Sequence, residues 1–356
     1  MELYFTCTFV IIWNFSEKLS LKIKNSQEET HMKKKLALLL ASSIVLTTLA
    51  ACGNGNNSKA DNPEWKGSVA MVMPGLITDE AFNQYTYEGM VRASKELGIK
   101  TAYREEVAQD EQIEVLRQFA QQGYETIIGQ GGQFGEALQT VAKEFPDKNF
   151  IFSVATDTGG VPNLTASTVS YSHAGYLAGI MAASATKNKK VAFVTGEWYD
   201  PHRQMEASFY KGVEYVDPSI ESTAITTGSW SDVTKAREAS LALIASGYDV
   251  LFFNLDAAYV GVLAAAQDSR DVYVVSAVVD SSDIAPDVTI GSVVFNWEEL
   301  GYQECIGSLS DGGTHVLGIA DNGILPVTTD LLSDEGKAAV DTAVEDLKAG
   351  KVDIDP

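Results

Sequence analysis

Side chains suited to holding a flat, hydrogen-bonding molecule recur just after apolar runs of this 356-residue chain. The first run, Ser68–Met73, leads through Pro74 and Gly75 to Thr78, Asp79, Phe82 and Asn83. Thr78 or Asp79 can cap a helix by accepting from its free amides, which puts Phe82 and Asn83 in the first helical turn. Phe82 offers an apolar face, and Asn83 offers both a donor and an acceptor. A nucleobase needs that combination, although Phe82 suits a core position equally well. A later loop, Gly228-Ser229-Trp230-Ser231-Asp232, carries an indole between a strand and a helix. Trp230 either covers the second face of such a ring or packs beneath its own loop. Base-on-aromatic stacking is worth about 1–3 kcal/mol. Asp157, Asp256 and Asp280 each follow an apolar run, where a carboxylate can accept two hydroxyl hydrogen bonds, as a sugar diol requires, or cap a helix. Trp198 and Tyr199 follow another run in the same way.

Signatures of chemistry on a substrate are missing. The chain has no G-x-S-x-G elbow, no phosphate loop ending in G-K-[ST] and no H-E-x-x-H. His173 and His202 lack a nucleophile nearby in sequence. Gly129-Gln130-Gly131-Gly132-Gln133-Phe134-Gly135 opens a helix after a strand, but its G-x-G-x-x-x-G spacing is one residue too long for a dinucleotide fingerprint, and it follows the third strand instead of the first. It reads as a tight turn. Cys7, Cys52 and Cys305 form no C-x-x-C pair and the four histidines are scattered, so neither a Cys/His metal site nor a disulfide framework is expected. No cofactor is implied. The formal charge of -22 repels phosphate backbones and argues against nucleic acid as a partner.

Beginning at Met32, the chain reads MKKKLALLLASSIVLTTLAAC. Three lysines, an apolar run and small residues before a cysteine have the order of a secretory signal. The apolar run, Leu36–Leu49, is shorter than the roughly 20 residues that span a bilayer. Leu49-Ala50-Ala51-Cys52 resembles the lipobox of bacterial lipoproteins, in which the cysteine is acylated. The expected organisation is an upstream extension over 1–31, with translation starting at Met32, a lipoprotein signal over 32–51 acylated at Cys52, and a polar, Gly/Asn-rich tether over 52–66.

The elements that must position the candidate residues alternate thereafter. Strands are expected at Ser68–Met73, Thr101–Glu105, Thr126–Gly129, Phe150–Val154 and Thr165–Val169. A second series lies at Lys190–Thr195, Ser222–Thr227, Val250–Phe253, Val272–Val278 and Thr289–Phe295. Amphipathic helical stretches separate them. Short apolar strands alternating with helices predict an α/β protein with two doubly wound parallel-sheet lobes. The first covers 67–172 with part of 290–325, and the second 173–289 with part of 326–356. Ligands of such sheets sit outside the carboxyl ends of the strands, where the candidate residues cluster.

The chain resembles the BMP family (basic membrane protein, or purine nucleoside receptor A-like) of bacterial lipoproteins. The matching stretches are Asp79-Glu80-Ala81-Phe82-Asn83-Gln84 with Glu88-Gly89, Gly175-Tyr176-Leu177-Ala178-Gly179, Gly261–Ala266, Val279-Asp280, Gly291–Val294 and Ala349-Gly350-Lys351. The resemblance implies a type I periplasmic-binding-protein fold with its lobes joined by a hinge. It implies a monomeric receptor that does no chemistry, held on the extracytoplasmic face of the cell membrane by its lipid alone and delivering a purine nucleoside to an ABC permease. It further implies ring stacking by Phe82 and Trp230, base-edge contacts from Asn83 and Asp157, and a ribose contact from Asp280. Two departures bear on the ligand: Phe295 stands where the family commonly has lysine, and Asp256 adds a carboxylate in place of a glycine-rich segment. Another small ligand, a sugar or an amine, and a surface nucleoside hydrolase are the alternatives.

Overall fold

The computed structural model describes residues 67–79, 82–309, 311–352 and 354. The expected extension, signal, acylation at Cys52 and tether lie outside them. Among the described residues no helix is long and apolar enough to cross a membrane.

The chain opens with β1 (Ser68–Val72), α1 (Phe82–Leu97), β2 (Lys100–Arg104), α2 (Gln112–Gln121), β3 (Thr126–Gln130), α3 (Gly135–Glu144), β4 (Asn149–Ser153) and β5 (Leu164–Val169). It continues with α4 (Tyr171–Ala185), β6 (Lys190–Thr195), α5 (Asp200–Val216), β7 (Glu221–Thr226), α6 (Val233–Ala245), β8 (Val250–Asn254), α7 (Tyr259–Gln267) and β9 (Tyr273–Val278). Then come β10 (Thr289–Phe295), α8 (Trp297–Cys305), β11 (Thr314–Leu317), β12 (Ile324–Thr328) and α9 (Asp334–Lys348).

Two six-stranded sheets result, ordered β11-β5-β4-β3-β1-β2 and β12-β10-β9-β8-β6-β7. The first is parallel throughout, and in the second only β12 runs against its neighbour. Central strands such as Val-Leu-Phe-Phe-Asn in β8 are buried on both faces, as helices covering both sides of a sheet demand. The edge strands β2 and β7 carry charged and hydroxyl residues and stay partly exposed, which blunts edge-to-edge pairing. β12 accommodates Pro326 because it too lies at an edge. β10 pairs with β9, so residues 289–295 build the second sheet, while α8 and β11 return to the first.

The chain crosses between the lobes three times, at 169–171, 295–297 and 317–324. Each crossing is fixed locally. The Ser170 hydroxyl accepts from the His173 N–H to cap α4, and the Asn296 side chain accepts from the Glu299 N–H to cap α8. The crossings are also tied together: Ser170 N–H donates to the Leu317 carbonyl, Asn296 N–H to the Gly323 carbonyl, and Ile319 N–H to His173 Nδ1. A hinge of three linked strands of chain permits rotation of one lobe on the other while resisting shear.

Helix α4 is apolar around its whole circumference and sits almost entirely within the second core. It meets α5 at backbone distance. A β-carbon on Gly175 or Gly179 would collide with the carbonyl oxygen of Met205 or Phe209, and one on Gly212 with that of Tyr176. Glycine is required there by proximity, on both helices.

Candidate functional site

A cleft of about 740 Å³ opens between the lobes, within the usual size of small-molecule sites. The first lobe contributes Asp79, Gln84 and Tyr85 from the start of α1, with Trp297 and Glu298 from the start of α8. The second contributes Asp256 and Tyr259 after β8, Val278–Asp280 after β9, and Phe295 at the end of β10. All lie at carboxyl ends of strands or amino ends of helices, as the topology directs.

Asp79 anchors the first wall. Its carboxylate accepts from the backbone N–H of Asn83 (3.1 Å) and of Gln84 (3.0 Å) and from the Asn83 side-chain amide (2.7 Å). This caps α1 and places a negative charge at its positive end. Asp280 is fixed on the second wall, where one carboxylate oxygen accepts from the Ser292 hydroxyl (2.9 Å) and the Ser282 N–H (3.0 Å). Ser292 is itself hydrogen-bonded to Ser276, so the carboxylate is held by a buried chain of hydroxyls. The Asp256 carbonyl accepts from the Tyr259 N–H (2.9 Å), while its carboxylate has no hydrogen bond or ion pair among the described residues. Water still reaches it, but protein crowds it on most sides and Asp79 adds a like charge. Lost hydration, then Asp79, raise its pKa to about 6.

Rings form a continuous series that passes through the cleft lining at Phe295 and Trp297. Phe82 meets Trp297 edge-on (centroids 4.9 Å apart), Trp297 meets Phe295 (5.4 Å), and Phe295 meets Tyr171 (4.9 Å). Tyr171 meets His202 (5.3 Å), His202 meets Trp230 (4.8 Å), and Trp230 stacks on Tyr199 (6.2 Å, 10° between planes). Contacts of this kind are worth about 0.5–1.5 kcal/mol each beyond area burial. Phe82 from one lobe and Tyr199 from the other are thus the ends of one aromatic band that includes Trp230, and its members Phe295 and Trp297 line the cleft. Burial lowers the His202 pKa to about 4, leaving a neutral imidazole whose Nδ1 has no partner among the described residues.

Of the eight residues anticipated as ligand contacts, Asp79, Asp256 and Asp280 line the cleft. The other five do not. Phe82 is half-buried behind Trp297. Asn83 spends its amide N–H on Asp79, and its oxygen is buried without a partner among the described residues. Trp230 lies against Gly196, Tyr199 and His202, closer to the packed alternative than to an open clamp. Trp198 takes the Arg203 guanidinium on its face at 3.8 Å and an edge of Phe193. Asp157 closes a turn by accepting from the Gly159 N–H (2.8 Å) in an exposed loop. Conversely, Tyr85, Tyr259, Trp297 and Glu298 were not anticipated. Trp297 lies two residues beyond β10, at the strand-to-helix position that the other candidates share, and that placement is the signal for it.

Backbone strain marks the same ends of both sheets. Val154, just after β4, has φ +63°, and Val278, closing β9, has φ +75°. These strands occupy equivalent places in the two sheet orders. Positive φ is costly for a β-branched residue and concentrates where a fold aims side chains for function; Val278 lines the cleft.

A buried carboxyl lies outside the cleft. Glu304 of α8 accepts from the Ser167 hydroxyl (2.7 Å) on β5, and the Ser153 hydroxyl of β4 acts on the same carboxyl. Burial pushes its pKa up to about 7, against the pull of its two serine partners. The folded state therefore binds a proton that the unfolded chain has already released near its ordinary value of 4.5. Stability from this group is full below about 4.5 and is lost as pH rises through about 7, on the order of 2 kcal/mol. Thermal melts at pH 5.5 and 8 should show a higher midpoint at the acid end, and Glu304→Gln should remove most of the difference. Equal slopes in both proteins would count against a protonated Glu304.

The model of the Bmp family, described as ABC transporter substrate-binding protein PnrA-like, matches residues 66–351. Among curated proteins, the chain is 27% identical over 280 residues to Transcriptional activator protein med of Bacillus subtilis (strain 168), covering 76% of this chain and 83% of that protein. It is 30% identical over 232 residues to the ABC transporter nucleoside-binding protein BmpA of Lactococcus lactis subsp. cremoris, covering 62% of this chain and 65% of that protein. Among solved structures, a solute-binding protein of Aeropyrum pernix K1 superposes with TM-score 0.69 at 18% identity, over 81% of this chain and 92% of the other. A transcriptional activator of the comK gene from Bacillus halodurans does so with TM-score 0.69 at 21% identity, over 80% and 99%. At those identities the structures speak to fold, which is the type I periplasmic-binding fold. With two parallel-sheet lobes, a cleft between them and a family match along nearly all the described residues, the chain belongs to the Bmp family of PnrA-like ABC transporter substrate-binding proteins.

Proposed function

We propose that this chain is a lipid-anchored receptor that captures a nucleoside in the inter-lobe cleft and presents it, closed, to an ABC permease without altering it. The observation that carries the reading is a single cleft whose two walls bring aromatic rings and a braced carboxylate together. Tyr85 and Tyr259 line the cleft half-buried and can meet a base, with the buried Phe295 and Trp297 beside them in the cleft lining. Asp280 has one oxygen anchored by Ser292 and Ser282, and its second is available to ribose hydroxyls. The named activity of the Lactococcus relative supports the same ligand class. A ligand touching both walls binds the shut arrangement better than the open one, so occupancy shifts the hinge toward closure.

Isothermal titration calorimetry with adenosine, guanosine and inosine, together with mass spectrometry of ligand released from freshly purified protein, tests the assignment. Heat from at least one nucleoside is expected. No heat from any, and no nucleoside in the extract, would refute it. Incubation with the bound nucleoside should release no free base, as a hydrolase would. The proposed anchor rests on Leu49-Ala50-Ala51-Cys52. Radiolabelled palmitate should enter the wild-type protein in cells and not the Cys52→Ser variant.

A further inference from the structure

We propose that Val278 is a positioning residue of the cleft: the strained turn it forms at the end of β9, more than its side chain, sets the Asp280 carboxylate where a ribose meets it. This rests on the nucleoside reading above and assigns the stretch of backbone that aims its sugar contact.

The first observation is the turn itself. The Val279 N–H donates back to the Ala277 carbonyl (2.9 Å), closing a three-residue turn around Val278 at φ +75°. This is the positive-φ form of the γ-turn, which is rare and strained. A β-branched residue suits positive φ badly, whereas glycine adopts it without steric cost. Neighbouring groups hold Val278 there. The Ser276 hydroxyl oxygen, on a fully buried residue, lies 2.8 Å from the Val279 carbonyl and 2.8 Å from the Ser292 hydroxyl. The Ser281 N–H also reaches Ser292 (3.3 Å). Both polar groups of the Val279 backbone are therefore turned back onto the end of β9. Asp280 comes next, and its carboxylate lands on Ser292 and the Ser282 N–H.

The second observation is a comparison within the same chain. β4 and β9 occupy equivalent places in the two sheets, and each carries a serine four residues before an aspartate: Ser153 before Asp157, and Ser276 before Asp280. In both sheets that serine stands opposite a serine of the next strand, Ser167 on β5 or Ser292 on β10. The turns differ. In the first lobe positive φ falls at Val154, one residue after the serine, and the Ala155 N–H donates across to the Ser167 carbonyl (3.1 Å). Asp157 then departs into an exposed loop, and the Ser167 hydroxyl goes to Glu304. In the second lobe positive φ falls two residues after the serine, the N–H turns back along its own strand, and Asp280 reaches the cleft. Matching residues, spacing and strand pairing thus give two aspartate positions, separated by where the turn falls.

The test reads the preference for a nucleoside over its free base, by calorimetry of adenosine beside adenine and inosine beside hypoxanthine on the whole mature protein. Val278→Pro fixes φ at about −65° and excludes the turn. It should lose about tenfold or more in nucleoside affinity, as when a charged acceptor is withdrawn, while the affinity for the base stays near that of wild type. Adding Asp280→Ala to it should cost nothing further, because both changes act through one contact. One glycine inserted between Val278 and Val279 keeps every side chain and relaxes the turn; it should give the same loss, and it serves where the proline variant does not fold. Val278→Gly forms the turn without strain, so it should lose far less than the proline variant. It should also melt above Val278→Ala, the reverse of the usual order of glycine and alanine within a strand. If the proline or insertion variant folds and keeps the wild-type preference, or if its loss adds to that of Asp280→Ala, the proposal is wrong and the nucleoside reading stands. A glycine variant that loses as much as the proline variant, or that melts below the alanine variant, would overturn it as well. If wild type binds neither nucleoside, both readings fall.

Discussion

Gly212→Val should cost the second lobe a large part of its stability. On a solvent-exposed helix, replacing glycine by a residue with a side chain gains up to about 1 kcal/mol. Here the sign reverses. The first atom added at Gly212 meets the Tyr176 carbonyl oxygen of α4, and Gly175 and Gly179 approach α5 in the same way. The obstacle is backbone, so no rotamer change relieves it, and the two helices must separate. Overpacking a well-filled core costs about 1–3 kcal/mol when side chains can yield. With none to yield, and with a tightly buried apolar helix displaced from its sheet, about 3 kcal/mol or more is expected against a total of roughly 5–15 kcal/mol. Urea unfolding followed by circular dichroism measures it. Gly212→Ala should show a smaller loss in the same direction, and a midpoint unchanged in both variants would mean the helices do not touch as described.

Asp280→Ala should have the largest effect on binding. The carboxylate is held by Ser292 and the Ser282 amide, so little conformational entropy remains to be lost when a ligand hydroxyl joins it. A hydrogen bond to a charged, pre-oriented acceptor is worth about 1.5–3 kcal/mol, or roughly 10- to 100-fold in affinity. Asp280→Asn retains an acceptor for the serine and should lose less. Both variants should melt near the wild type, because the side chain faces solvent in the open cleft. The cleanest comparison is a nucleoside against its free base: wild type should prefer the nucleoside, and the alanine variant should not. If the preference survives, the sugar is held elsewhere.

Asp256 is expected to weaken the empty fold. Its raised pKa means that, ionised at neutral pH, it weakens the empty fold. Because water still reaches it, the penalty is discounted to about 1 kcal/mol. Retaining a residue that destabilises the empty protein is the pattern expected where a site is built for its ligand.

Much of the architecture was legible beforehand for a local reason. A strand buried on both faces must be apolar throughout, and the helix that follows it must show one apolar stripe. β1, β3, β4, β8 and β9 announce themselves in this way, and each fell within a residue or two of its expected bounds. The polar edge strands β2 and β7 were legible mainly from their place between helices. β11 and β12 were not: four- and five-residue edge strands with polar or proline residues resemble connecting loops until a neighbour supplies their hydrogen bonds. The antiparallel direction of β12 is set by where the third crossing delivers the chain, which no local pattern encodes.

Local patterning of residues sets the class of elements, their alternation, the net negative charge and the positions after strands where a ligand could be met. Which of those positions share a cavity emerges only when the lobes pack. Asp79, Asp256 and Asp280 converge because the three crossings set the two sheets' carboxyl ends facing one another. Phe82 and Trp230 were drawn into one aromatic band because Trp297 and His202, distant in sequence, took the space beside them. Direction and distance between side chains on different lobes depend on the hinge, and a one-dimensional pattern carries no information about that angle.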